Sequence, residues 1–289
     1  MTASDPIALT IDAPAACEDE LAGRLWQLGC LGSWGVPGES SGAVQRLHAV
    51  FAGDASPEEI RRSLEEIRGV RVVERSELPA TDWNAAWRAA AQPIPIGDRF
   101  VVDPREPGDS PAAIEPGDRI LLRLPIRTAF GVGSHESTRL ALELLERSEP
   151  AGTRVLDVGT GTGILGFAAL RLGAASVVAF DLDPAAALLL PAYMTLNDLR
   201  LRAFAGTLAA LGPRAGAFDL ALVNVLPHEI AGELARLLAL LRAGGRLVLS
   251  GLLESEVEAS LARLTPLGLR EVDRRTAAEW TGLALEAAA

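Results

Sequence analysis

The chain contains no lysine: all 27 of its basic residues are arginine. It therefore has no ε-amine of its own that could be modified. Acids outnumber bases, 38 to 27, leaving a formal charge of −11. That balance argues against a direct grip on a nucleic-acid backbone, which takes a basic surface to displace counterions. It suits a basic protein partner, and it also keeps the chain soluble. Cysteine is scarce as well. Cys17 and Cys30 have no second pair with which to build a metal site or a disulfide framework, so both are expected to act as buried small hydrophobes. Long apolar runs are missing although 49% of residues are hydrophobic, so no membrane span of about 20 residues is expected. Met1 to Pro6 lacks the basic-then-apolar pattern of a secretory signal, which makes the cytoplasm the expected location.

A length of 289 residues predicts one large domain and a smaller one. The first 75 residues, roughly, alternate in the order strand, helix, strand, strand, helix, strand, the ferredoxin-like arrangement. Ile7 to Ile11 and Val44 to Phe51 are the clearest strands, with weaker ones near Trp34 and at Val70 to Glu74. One helix is expected over Glu18 to Leu28. Another opens at Ser56-Pro57-Glu58-Glu59, where serine caps, proline fits the first turn and the acids favour the positive helix end. Residues 76–124 read as a connecting region holding Asp82, Trp83 and Trp87, strands around Phe100 to Val102 and Ile120 to Leu124, and a Pro/Asp-rich loop from Arg105 to Gly117. The remaining 125–289 read as a Rossmann-like α/β domain.

From Arg154 the pattern becomes strand, helix, strand, helix, the mark of a parallel sheet covered on both faces. Val155 to Val158 is a buried strand, followed by Gly159-Thr160-Gly161-Thr162-Gly163 and a helix from Ile164 to Leu172. Glycines at alternate positions let the backbone turn sharply and approach a ligand without Cβ clash. A second strand, Val177 to Phe180, ends in Asp181, whose carboxylate is placed to accept both hydroxyls of an adenosine ribose. Dinucleotide sites want glycine or alanine at the sixth fingerprint position, where this chain has Ile164. The Gly-x-Gly-x-Gly spacing after Asp157, which helps set the loop, instead suits S-adenosylmethionine (SAM).

Upstream, the small residues of Ala129 to Thr138 fit a loop over a cofactor before a helix from Arg139 to Glu146. Downstream, the strand Phe218 to Val223 delivers Asn224 to the carboxyl edge of the sheet, where a reacting nitrogen would sit. His135 and His228 are the candidates for a dedicated base, and Phe130 could face a methylammonium by cation–π contact.

At these positions the chain resembles the PrmA family, methyltransferases of the large-subunit ribosomal protein L11. The likeness runs through Asp82 to Trp87, Phe130 to Thr138, Val155 to Gly163, Asp181-Leu182-Asp183-Pro184, Asn224-Val225-Leu226, Gly244-Gly245, Ser250-Gly251-Leu252-Leu253 and Glu279-Trp280. Val132 and Ser137 stand where the family commonly has threonine. The resemblance implies a seven-stranded SAM methyltransferase domain behind a small ferredoxin-like substrate-recognition domain. It implies cofactor contacts at Thr138, Gly159, Asp181 and Asn224, and no metal. It also implies attack by a neutral amine of a basic ribosomal protein on the sulfonium methyl group, leaving S-adenosylhomocysteine, with Asn224 orienting the amine or the cofactor. Three other readings stay open. The acceptor could be another protein or a small-molecule amine. The chemistry could be that of the Asn-Pro-Pro-Tyr methylases, although Asn224-Val225-Leu226-Pro227 lacks their aromatic residue. The fold could be a non-catalytic SAM-sensing module.

Overall fold

A computed structural model describes residues 7–14, 17, 21, 24–25, 28–30, 32–35, 44–77, 92–105, 116–125, 135–213 and 215–288. The chain divides into two compact units, Met1–Trp87 and Arg88–Ala289.

In the first unit β1 (Ile7–Pro14), β2 (Gly32–Gly35), β3 (Val44–Phe51) and β4 (Arg71–Glu77) pair antiparallel in the order β2-β3-β1-β4, which is the ferredoxin-like order. Side chains alternate across a strand, so Ile7, Leu9 and Ile11 point one way, into a core shared with Phe51, Leu21 and Leu25. The helix α1 (Pro57–Glu65) adds Ile60 and Leu64 to that core. It starts where its cap residue dictates, with the Ser56 hydroxyl accepting the Glu59 N–H at 3.4 Å. Cys17 and Cys30 are half-buried at the edge of this core rather than inside it. Both pack against the core as partly buried small residues, less buried than expected.

The second unit is built on a seven-stranded sheet of order β10-β9-β8-β11-β12-β14-β13. Its strands are β8 (Arg154–Val158), β9 (Ser176–Asp181), β10 (Arg202–Ala205), β11 (Phe218–Asn224), β12 (Leu241–Leu253), β13 (Leu269–Ala277) and β14 (Trp280–Ala287). The first five run parallel, and β14 and β13 add antiparallel at one edge. Successive residues of the central strands serve two different cores. Val155, Leu220 and Leu222 face one layer, while Leu156, Ala221 and Val223 face the other. Burial on both faces is why these strands read as unbroken apolar runs.

The first layer holds α2 (Glu136–Arg147), α3 (Ile164–Arg171) and α4 (Pro184–Asn197), and the second holds α5 (Pro227–Ile230), α6 (Leu234–Leu240) and α7 (Val257–Leu264). A separate three-stranded sheet, β5 (Ile94–Ile96), β6 (Phe100–Asp103) and β7 (Ile120–Arg123), sinks Ile96, Phe100, Val102 and Leu122 into the first layer. The strands β5, β6 and β7 therefore contribute to the core of the second unit. Strand order reverses between β8 and β11, and the crevice at their carboxyl ends is where such sheets take ligands.

Candidate functional site

The loop between β8 and α3 is shaped by three glycines in the left-handed region, Gly159 (φ +66°), Gly161 (φ +51°) and Gly163 (φ +82°). Two of them also lack room for a side chain. A Cβ on Gly159 would lie 2.4 Å from Val225 Cγ1, and one on Gly163 would lie 2.6 Å from Leu190 Cδ2. Gly161 has open space, so only its conformation demands glycine. The turn is held by the Thr160 N–H donating to the Phe180 carbonyl at 3.0 Å and the Gly163 N–H donating to the Thr160 carbonyl at 2.8 Å.

Asp157, the penultimate residue of β8, is 1% exposed. Its Oδ2 accepts from the Thr160 hydroxyl at 2.6 Å and from the Gly166 N–H at 3.1 Å. Its Oδ1 is buried without a partner among the described residues. Burial pushes this carboxyl up to about 6, against the pull of those two hydrogen bonds and with a smaller push from the charge of Asp181.

Asp181 ends β9 and ties the loop to the next strand, its Oδ2 accepting from the Gly161 N–H at 2.8 Å. Its Oδ1 accepts from the Asp183 N–H at 2.9 Å. Asp183 in turn caps α4, accepting the Ala185 N–H at 2.8 Å. Each carboxylate oxygen can accept two hydrogen bonds, so Asp181 keeps acceptor capacity for hydroxyl donors.

Asn224, at the carboxyl end of β11, is half-buried and donates through Nδ2 to Thr138 Oγ1 at 3.2 Å. Thr138 is fully buried in the first turn of α2. His135 is the N-cap of that helix: its Nδ1 accepts the Ser137 N–H at 3.2 Å, and the Ser137 hydroxyl lies 2.8 Å from the same nitrogen. The edge of the Trp280 ring packs against His135 with centroids 4.8 Å apart.

The structure thus joins Gly161 to Asp181, Asp157 to the loop it shapes, and Asn224 to Thr138. Phe130 and the rest of 126–134 lie outside the described residues, as do Asp82 to Trp87 and the His228 side chain. Sequence reasoning missed Thr160 as the partner of Asp157 and Asp183 as the brace of Asp181. The pair Asp183-Pro184 was the available signal, an acid cap followed by proline in the first turn. A hollow of about 450 Å³ lined by Arg147, Ser148, Arg246 and Asp273 lies elsewhere, where β12 enters the sheet, away from this chemistry. The unpartnered Asp157 Oδ1, the glycine-rich loop with its two threonines buried and the acceptor capacity of Asp181 all fit a cationic adenosine cofactor.

The family model described as ribosomal protein L11 methyltransferase (PrmA) matches residues 17–287. A ribosomal protein L11 methyltransferase of Pelobacter propionicus is 34% identical over 315 residues, covering 98% of each chain. That of Synechococcus elongatus is 36% identical over 275 residues, covering 89% of this chain and 90% of the other. Among solved structures, a ribosomal protein L11 methylase from Lactobacillus delbrueckii subsp. bulgaricus superposes with a TM-score of 0.60 at 28% identity, over 68% of this chain and 100% of that one. The chain belongs to the PrmA family of ribosomal protein L11 methyltransferases.

Proposed function

We propose that this protein methylates amine nitrogens of ribosomal protein L11, lysine side chains and the N-terminal α-amine, with SAM as donor. The observation that carries the reading is the Asn224–Thr138 pair at the β11 end of the same crevice that holds Gly159, Gly161, Gly163 and Asp181. SAM supplies a methyl group on a sulfonium, which the amine displaces to leave S-adenosylhomocysteine. Asp181 accepts ribose hydroxyls with its remaining lone pairs, and the glycines admit the cofactor against bare backbone. Asp157 braces the loop through Thr160 and Gly166, and its buried carboxylate would place negative charge beneath the loop that would hold the cofactor.

Asn224 spends Nδ2 on Thr138, which leaves Oδ1 to accept from the incoming amine and aim its lone pair. Holding nitrogen and methyl carbon in line about 3 to 3.5 Å apart contributes several kcal/mol through entropy already lost on binding. A lysine amine near pKa 10.4 gives up its proton to water before attack. We assign His135 to capping rather than to proton removal. Its Nδ1 accepts the Ser137 N–H, so the ring proton of the neutral form sits on Nε2. The −11 charge matches a basic acceptor, and residues 1–75 serve recognition of it, in the cytoplasm and without direct nucleic-acid contact. Among the described residues no helix is long and apolar enough to cross a membrane.

The test is transfer from methyl-labelled SAM to purified L11, read by mass spectrometry of the acceptor. Mass increments of 14 per methyl group on lysines or the N-terminus are the expected result. Label on a small-molecule amine with none on L11 would replace this reading with the alternative.

A further inference from the structure

Ser250 stands near the carboxyl end of β12 with no exposed surface and belongs to none of the contacts that shape the cofactor loop. A buried hydroxyl is costly to desolvate, so what it bonds to matters. Its Oγ donates to the Ser137 carbonyl at 2.8 Å, across 113 residues of sequence. That carbonyl lies in the first turn of α2, where the helix already supplies it with the Ala141 N–H. Ser250 therefore rescues no orphaned group, and its bond answers some other need.

The sheet register shows which one. Ser250 pairs directly with Asn224 on the neighbouring strand. Next to Ser137 is Thr138, whose Oγ1 accepts from Asn224 Nδ2 at 3.2 Å. The connections close on themselves, from Asn224 to Thr138, along the chain to Ser137, across to Ser250, and through the sheet back to Asn224. Apart from the Arg147–Asp273 ion pair at its far end, α2 meets the sheet through aliphatic side chains such as Leu140 and Leu144, and such contacts have no direction. The helix lies close because Gly282 of β14 has no side chain, a Cβ there coming within 2.8 Å of Leu144 Cδ1 and 3.3 Å of Leu140 Cβ. Ser250 supplies a directional contact to the backbone of the first turn, beside the side-chain bond from Asn224 to Thr138, and so helps fix how far along the strands that turn sits.

We propose that Ser250 is a positioning residue for methyl transfer: by anchoring the Ser137 carbonyl it holds Thr138 where its hydroxyl takes the Asn224 amide N–H, which turns Asn224 Oδ1 toward the incoming amine. This rests on the role given to Asn224 above. The test uses full-length protein, labelled SAM and purified L11, with rates expressed per SAM-binding site counted by calorimetry.

Ser250→Ala is expected to lower kcat about tenfold, the scale of a small misplacement of a reacting group, while KM for L11 stays within about twofold because acceptor docking is untouched. Added to Thr138→Val, Ser250→Ala should cost less than about twofold more, since the path it acts through is already cut. Should Ser250→Ala fold poorly, Ser250→Cys leaves no cavity, is slightly larger with a weaker donor, and is expected to lose activity in the same direction. A folded Ser250→Ala enzyme within twofold of wild type, or the same tenfold loss in the Thr138→Val background, would overturn the proposal. Asn224→Ala and Thr138→Val separate the two levels. If both keep wild-type rates, the assignment of Asn224 falls; if both lose activity and Ser250→Ala does not, only the role of Ser250 falls.

Discussion

Replacing Asp157 by asparagine isolates what the protein gives up to keep a buried carboxylate under its cofactor loop. The carboxyl is raised from 3.8 to about 6, chiefly by burial, a shift of about 2 units or about 3 kcal/mol. Below pH 4 both folded and unfolded chains hold the proton. Between pH 4 and 6 the unfolded chain releases it while the folded one keeps it, so stability falls as pH rises and levels off above pH 6. At pH 7.5 the ionised native state carries the whole penalty. Asparagine cannot ionise, and its NH₂ placed at the Oδ1 position meets the same lack of partners as the protonated acid would. Any constant loss from that amide cancels in the comparison between pH values.

Urea unfolding of the cofactor-free proteins at pH 4, 5, 6 and 7.5 reads the effect directly. The stability of Asp157→Asn relative to wild type should improve by about 2.4 kcal/mol from pH 4 to pH 7.5, while its affinity for SAM falls about tenfold for want of the charge. Parallel pH profiles for the two proteins would refute the argument, because they would mean that the Asp157 carboxyl titrates alike in folded and unfolded chains.

Three further outcomes are expected. Asp181→Ala should weaken SAM binding in calorimetry by at least about tenfold, since it removes charge-assisted bonds worth about 1.5 to 3 kcal/mol each; unchanged affinity in a folded variant would show that Asp181 is not the ribose ligand. His135→Asn preserves a capping side chain and should keep methyl transfer within about threefold of wild type, whereas a loss of about a hundredfold with a normal melting temperature would restore the histidine to the role of base. Removal of residues 1–75 should leave a fragment that binds SAM, because Asp157, Asp181 and Asn224 all lie in the second unit, but no longer methylates L11; a fragment that still works on L11 at the full rate would refute recognition by the first unit.

Much of the site was legible before any coordinates because its chemistry is local. Asp157, the three glycines and Asp181 fall within one strand-turn-helix-strand stretch, and spacing alone puts them at one edge of the sheet. Asn224 was legible for a related reason, being the first polar residue after a run that only a doubly buried strand explains. The short strands of 92–124 were harder. Three or four residues show too little periodicity to reveal that Phe100 and Leu122 belong to the main core. The capping bond of His135 was not legible, since caps are ordinarily Ser, Thr, Asp or Asn and a histidine beside a glycine-rich loop suggests proton transfer.

Ser250 marks the limit of reading along the chain. Nothing near it in sequence distinguishes its hydroxyl from any other polar residue on a strand, and its partner lies 113 residues away. Its meaning depends on three facts of topology: that β12 lies beside β11, that Asn224 and Ser250 share a register, and that the first turn of α2 packs over both. Each follows from long-range pairing, which the burial of two apolar faces enforces but no local pattern announces. Residues that touch a ligand tend to sit at the ends of strands and in loops, where sequence punctuates. Residues that aim them sit inside the sheet, where it does not. A search for positioning residues in this fold is therefore best begun at buried hydroxyls whose hydrogen-bond partners are already satisfied, and Ser250 is such a residue.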